Sequence, residues 1–180
     1  RLKSAIKKEW GIEELFPPQA EALPHSLRGK NLMLAIPTAS GKSLVAHITM
    51  IQRLLNDLRG MKGIYIVPLK ALASEKFEEL SKICSSLDLD VGLAIGDRSN
   101  EMSRIEESDI LVCTSEKLDS MLRTNPSMIS EIGIVVADEF HLIQDPIRGP
   151  TLEILLSRIR HHVEKVQIIA LSATVGNVEE

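Results

Sequence analysis

Six short apolar runs recur along the chain: NLMLAI (31–36), GIYIV (63–67), VGLAI (91–95), DILVC (109–113), GIVVA (133–137) and VQIIAL (166–171). Each has the length of a strand, and continuous apolarity without alternation predicts burial on both faces. Between them, in 42–58, 70–86, 115–123 and 150–163, apolar residues return every three or four positions, the period of a helix with one face on a core. Strands alternating with helices predict an α/β fold, a doubly wound and mostly parallel sheet covered on both sides. Ligands of such sheets bind beyond the carboxyl ends of the strands, so the loops after residues 36, 67, 113, 137 and 171 are the places to search for chemistry.

Composition narrows the picture. At 180 residues and 44% hydrophobic content the chain has the size of one domain with a real core. A formal charge of −4 argues against coating nucleic acid by bulk electrostatics, so any such contact is expected to be local. Aromatic residues make up 3% of the chain, which leaves Trp10, Tyr65 and three phenylalanines as the only platforms for base stacking and makes backbone phosphate the expected target. Cys84 and Cys113 have neither disulfide nor zinc spacing and are expected to be buried thiols. No run reaches the roughly 18 apolar residues of a membrane span and no secretory leader is visible, so a cytoplasmic protein is expected. The start at Arg1 and the end at Glu180, just after a strand-like run, predict a segment of a longer product.

After the first strand comes PTASGKS (37–43), then a helix that begins LVAHITMIQRLL. Gly41 permits a tight turn, backbone N–H groups of the loop and helix start face an anion, Lys42 reaches the β- and γ-phosphates, and Ser43 holds Mg²⁺. Thr38, Ala39 and Ser40 complete the expected phosphate cradle. The first glycine of the usual pattern is missing, since Ile36 stands five places before Gly41 and Pro37 has no N–H to donate. A plain turn and helix start is the rival reading. A second element weakens that rival: GIVVADEFH ends an apolar strand in Asp138 and Glu139, at a strand tip facing the loops. Asp138 suits water-mediated Mg²⁺ binding and Glu139 suits orienting or deprotonating an attacking water, the division of labour that nucleotide hydrolysis requires.

Here the residues resemble a known family, because DEFH reads as a variant of the DExH box of superfamily 2 helicases. Other segments fall in the family's order: FPPQ (16–19) resembles the Q motif, PLKALASEK (68–76) motif Ia, IGD (95–97) the Gly-Asp element, TSEKLDS (114–120) motif Ib and SAT (172–174) motif III. With ELFPPQAEA, RGPTLE (148–153) and LSAT, the chain is similar to the first RecA-like motor domain of archaeal DNA repair helicases related to the helicase part of polymerase theta.

The resemblance implies roles at matching positions. Gln19 would recognise adenine, its amide pairing with the N6 and N7 edge. Pro68, Lys70 and Ala71 would grip phosphate at a strand-to-helix junction, against the plainer reading of a helix start. Thr114 and Ser115 would combine an N-cap hydroxyl with a phosphate contact. Asp97 would shape the strand-binding loop. Ser172, Ala173 and Thr174 would couple the γ-phosphate site to the nucleic-acid track through His141. Arg148 lies in the RGPTLE element, read as structural, and the family's arginine finger comes from a second motor domain that this chain lacks.

Other features carry no chemistry. His161 and His162 are helix neighbours that cannot share a face as metal ligands would, and are expected at the surface. His25 and His47 have no ligand partner at useful spacing, and Pro24 is expected to kink the helix after Gln19. Besides Ile36–Pro37, the family pattern is broken by Phe140, where a β-branched aliphatic is usual, and by Ala137 before the acids. The expectation is one N-terminal ATP-binding domain over 1–180, monomeric, using ATP and Mg²⁺ and contacting single-stranded or forked nucleic acid, DNA favoured. Its rivals are an RNA helicase, a non-catalytic nucleotide-dependent binding module and a P-loop kinase.

Overall fold

The computed structural model describes residues 1–36, 41–96, 105 and 107–173. Six parallel strands form one sheet: β1 (Leu32–Ala35), β2 (Lys62–Val67), β3 (Val91–Ala94), β4 (Ile110–Thr114), β5 (Ile132–Ala137) and β6 (Gln167–Ser172), in the spatial order β1-β6-β5-β2-β4-β3. The six apolar runs are these six strands. The helices are α1 (Leu2–Trp10), α2 (Pro17–Leu27), α3 (Lys42–Leu55), α4 (Lys70–Cys84), α5 (Ser115–Thr124) and α6 (Gly149–His162).

Strand parity divides the core into two layers, since successive side chains point to opposite faces. Tyr65 and Val67 of β2, Val112 of β4 and Val136 of β5 pack with Val45, Met50 and Ile51 of α3 and Leu80 and Ile83 of α4. Their neighbours Ile64, Ile66, Leu111 and Val135 pack on the opposite face with Leu118 and Leu122 of α5 and Leu155 and Ile159 of α6. Coverage on both faces is why β2, β4, β5 and β6 read as apolar runs, whereas the edge strands β1 and β3 are only partly buried, against expectation, because each has a neighbour on one side alone.

Three points differ from expectation. α1 forms at the amino terminus, with Leu2 and Ala5 buried and Gly11 closing it in the left-handed conformation (φ 67°). α2 begins at Pro17, so Gln19 lies inside its first turn, and the helix continues through Pro24 to Leu27. A proline deletes one backbone donor, and α2 keeps its helical assignment across the gap because Ala22 and Ser26 anchor it by burial. Tyr65 is fully buried and therefore no stacking platform, whereas Phe16 is 62% exposed. Cys84 and Cys113 are buried free thiols; burial pushes Cys84 up to about 12 and Cys113 higher still. His161 and His162 are exposed. Among the described residues no helix is long and apolar enough to cross a membrane.

Candidate nucleotide and nucleic-acid site

Along the carboxyl edge of the sheet, the strand order places the chain after β1, β6, β5, β2 and β4 side by side. After β1, Gly41 caps α3 at φ 65°, a left-handed conformation that favours glycine, and a Cβ there would crowd the Gln19 amide. The amide nitrogen donates to the Gly41 carbonyl at 3.1 Å, and the Gln19 oxygen accepts from the Phe16 N–H at 2.9 Å. Gln19 is 2% exposed and in this state ties α2 to the loop. Thr38, Ala39, Ser40, Asp97 and Thr174 lie outside the described residues.

Lys42 opens α3 and is 3% exposed, yet its Nζ has no hydrogen-bond partner among the described residues. The nearest carboxylate oxygen, Oε1 of Glu139, stands 3.8 Å away, close enough for Coulomb attraction and too far for a hydrogen bond. A buried ammonium without acceptors is unfavourable, and an anion placed at the helix start supplies what is missing.

The acid pair sits next along the edge. The Asp138 N–H donates to the Ile66 carbonyl at 2.9 Å, extending the β5–β2 ladder by one residue and fixing the backbone. Its Oδ2 accepts from the Tyr65 hydroxyl at 2.9 Å and its Oδ1 from the Glu139 N–H at 2.8 Å. Burial raises the Asp138 carboxyl above its ordinary range, the Tyr65 and Glu139 donors oppose the shift, and the Glu139 charge adds to it. Glu139 adopts the left-handed conformation at φ 52°, strained for a residue with a Cβ, which swings its side chain back toward Lys42. Among the described residues no three His, Cys, Asp or Glu form a metal cluster.

After β6, the Ala173 N–H donates to His141 Nδ1 at 3.3 Å, and Glu139 Oε2 lies 3.5 Å from the same nitrogen. The Ala173 N–H and the Glu139 carboxylate meet the ring at the same nitrogen. The contact between the acid pair and SAT thus runs through the Ala173 backbone; Ser172 is buried and its hydroxyl donates to the Ala173 carbonyl.

On the other half of the edge, Pro68 is half-buried while Lys70 and Ala71 are exposed at the start of α4, where no side chain caps the helix among the described residues. Thr114 caps α5, its hydroxyl accepting from the Lys117 N–H at 3.3 Å, and Thr114 and Ser115 are both buried. A cavity of about 20 Å³, lined by Pro68, Ser115, Asp138, Glu139 and Arg148, joins the two halves and has room for about one water. Tyr65 was not foreseen as part of the site; its one signal is a lone hydroxyl in an aliphatic strand.

Residues 16–180 match the DEAD/DEAH box helicase family. The chain belongs to that family. Among curated helicases it is 53% identical to the ATP-dependent DNA helicase Hel308 of Thermococcus kodakarensis, over all of this chain and 16% of that protein. It is 52% identical to Hel308 of Methanocella arvoryzae, over 94% of this chain and 23% of that protein. The chain therefore spans between a sixth and a quarter of the length of these relatives. Solved helicases share the fold: Lhr of Mycobacterium smegmatis bound to single-stranded DNA and AMP-PNP has a TM-score of 0.77 at 29% identity, covering 97% of this chain and 24% of that one. The DUF1998 helicase MrfA bound to DNA and AMPPNP has a TM-score of 0.83 at 25% identity, over 99% of this chain and 26% of that one.

Proposed function

We propose that this chain is the ATP-binding and hydrolysing motor domain of an ATP-dependent DNA helicase, the first of two motor domains in one monomeric polypeptide. One observation carries the reading: a buried ammonium, Lys42, without a hydrogen-bond partner among the described residues, stands at the start of a helix beside an acid pair on the sheet's carboxyl edge. Hel308 relatives named as DNA helicases, and the Lhr structure with single-stranded DNA and AMP-PNP, support ATP and DNA as the ligands.

In this reading Lys42 and the α3 amides hold the β- and γ-phosphates, Ser43 and Asp138 hold Mg²⁺, and Glu139 orients the attacking water and accepts its proton. Bound Mg²⁺ would neutralise charge on the phosphate oxygens. Gln19 would exchange its present partners for the adenine edge, and with them its hold on Gly41. Pro68, Lys70, Ala71, Thr114 and Ser115 would meet strand phosphates, and the Glu139–His141–Ala173 contacts would relay the state of one half to the other. The arginine that neutralises the transferring phosphoryl group, worth about 10³–10⁵ in rate, would come from the second motor domain.

Phosphate release tests this reading, measured with saturating single-stranded DNA or RNA of equal length. DNA should stimulate a polypeptide carrying both motor domains, and residues 1–180 alone should turn over poorly. Equal stimulation by RNA would overturn the DNA assignment; equal rates with and without the second domain would overturn the two-domain reading.

A further inference from the structure

Tyr65 is the only tyrosine of the chain and sits fully buried in the middle of β2, among aliphatic neighbours. Phenylalanine would fill the same space, so the hydroxyl needs a reason: buried without a partner it would cost about 1–3 kcal/mol. Its partner follows from register. Tyr65 pairs with Val136, and Asp138 stands two residues further on the same face, about 6.6 Å along the strand and within reach of a phenol. The resulting bond and the Glu139 N–H occupy one lone pair on each carboxylate oxygen, which fixes the plane of the Asp138 carboxylate.

We propose that Tyr65 is a positioning residue that holds the Asp138 carboxylate in one plane for the Mg²⁺ of an incoming Mg²⁺–nucleotide. Mg²⁺ tolerates little departure from octahedral geometry, so a carboxylate held in one plane favours it over one free to rotate. An apolar ring in place of the phenol would leave the Asp138 carboxylate to find that plane unaided. The inference rests on the nucleotide reading of the phosphate loop and concerns how that site is held.

The test is calorimetric titration of AMP-PNP into this chain, in EDTA and across a Mg²⁺ series, for the wild type, Tyr65→Phe, Asp138→Asn and the double variant. Tyr65→Phe should bind nucleotide in EDTA as the wild type does, but need about tenfold more Mg²⁺ for half of the metal-dependent gain, the usual effect of removing a group that orients a ligand. In the Asp138→Asn background the same change should add nothing. An unchanged Mg²⁺ response would overturn the proposal, as would a loss equal in EDTA and in Mg²⁺, the mark of a merely structural hydroxyl. A wild type that binds no nucleotide under either condition would sink the phosphate-loop reading instead.

Discussion

The two halves of the carboxyl edge are built on opposite terms. Around β1, β5 and β6 the chain holds a buried ammonium without acceptors, a strained glutamate and a carboxyl raised by burial. Around β2 and β4 the corresponding loops are locally satisfied: Thr114 caps its helix and Lys70 stands in solvent. The first half resembles a socket whose free energy is completed by a charged ligand; the second is a set of helix starts stable without one. Groups of the socket should therefore govern ligand binding and pH response, whereas those of the second half should govern local stability and contribute little singly to binding.

Beneath the socket, His47 extends the pattern and gives the largest stability effect expected. Its ring lies between Trp10 and Tyr65, with centroids 5.7 and 5.2 Å away, and its Nε2 is buried without a partner. Burial first, then the Lys76 charge, lower it from 6.5 to about 3. The folded-state value lies below the unfolded one, so between these values the unfolded chain binds the proton more readily and stability falls as pH drops. At 1.36 kcal/mol per unit, His47 should account for about 3 kcal/mol of the stability lost between pH 7 and 4.5. His47→Phe should remove that loss, read as urea midpoints at the two pH values. An unchanged difference would detach His47 from the strained half. Asp138 acts in the other direction, since a raised carboxyl makes ionisation costly to the fold as pH climbs above the ordinary carboxylate value.

The smallest effect belongs to the satisfied half. Thr114→Ala should lower stability by about 1 kcal/mol through loss of the α5 cap, leaving nucleotide affinity unchanged. A drop in nucleotide affinity without a drop in stability would mean that the two halves are not built differently.

Strands and the major helices were legible because burial on both faces forces continuous apolar runs, and the helix period marks the rest. The places of Gly41, Lys42, Ser43, Asp138 and Glu139 at the carboxyl edge were legible because these residues follow apolar runs of strand length. Other features arise from tertiary geometry and had no local signal. The helical course of α2 through Pro24 depends on the burial of its apolar face. The left-handed Glu139 has no glycine to announce it. The Tyr65–Asp138 bond depends on β2 and β5 being neighbours, although 73 residues separate the two positions. That His141 accepts from the Ala173 N–H in particular is equally invisible, because every residue except proline carries that group.

Whether the buried Lys42 and the left-handed Glu139 form a socket for nucleotide hydrolysis is tested most directly by one paired measurement. ATP affinity by calorimetry and phosphate release are compared for the wild type, Lys42→Ala and Glu139→Gln in the polypeptide carrying both motor domains. Lys42→Ala should lose most nucleotide affinity while melting as the wild type does, because it removes a point charge facing polyphosphate. Glu139→Gln should keep affinity while turnover falls by orders of magnitude, because an amide cannot take the water's proton. Unchanged affinity in Lys42→Ala, or wild-type turnover in Glu139→Gln, would contradict the account.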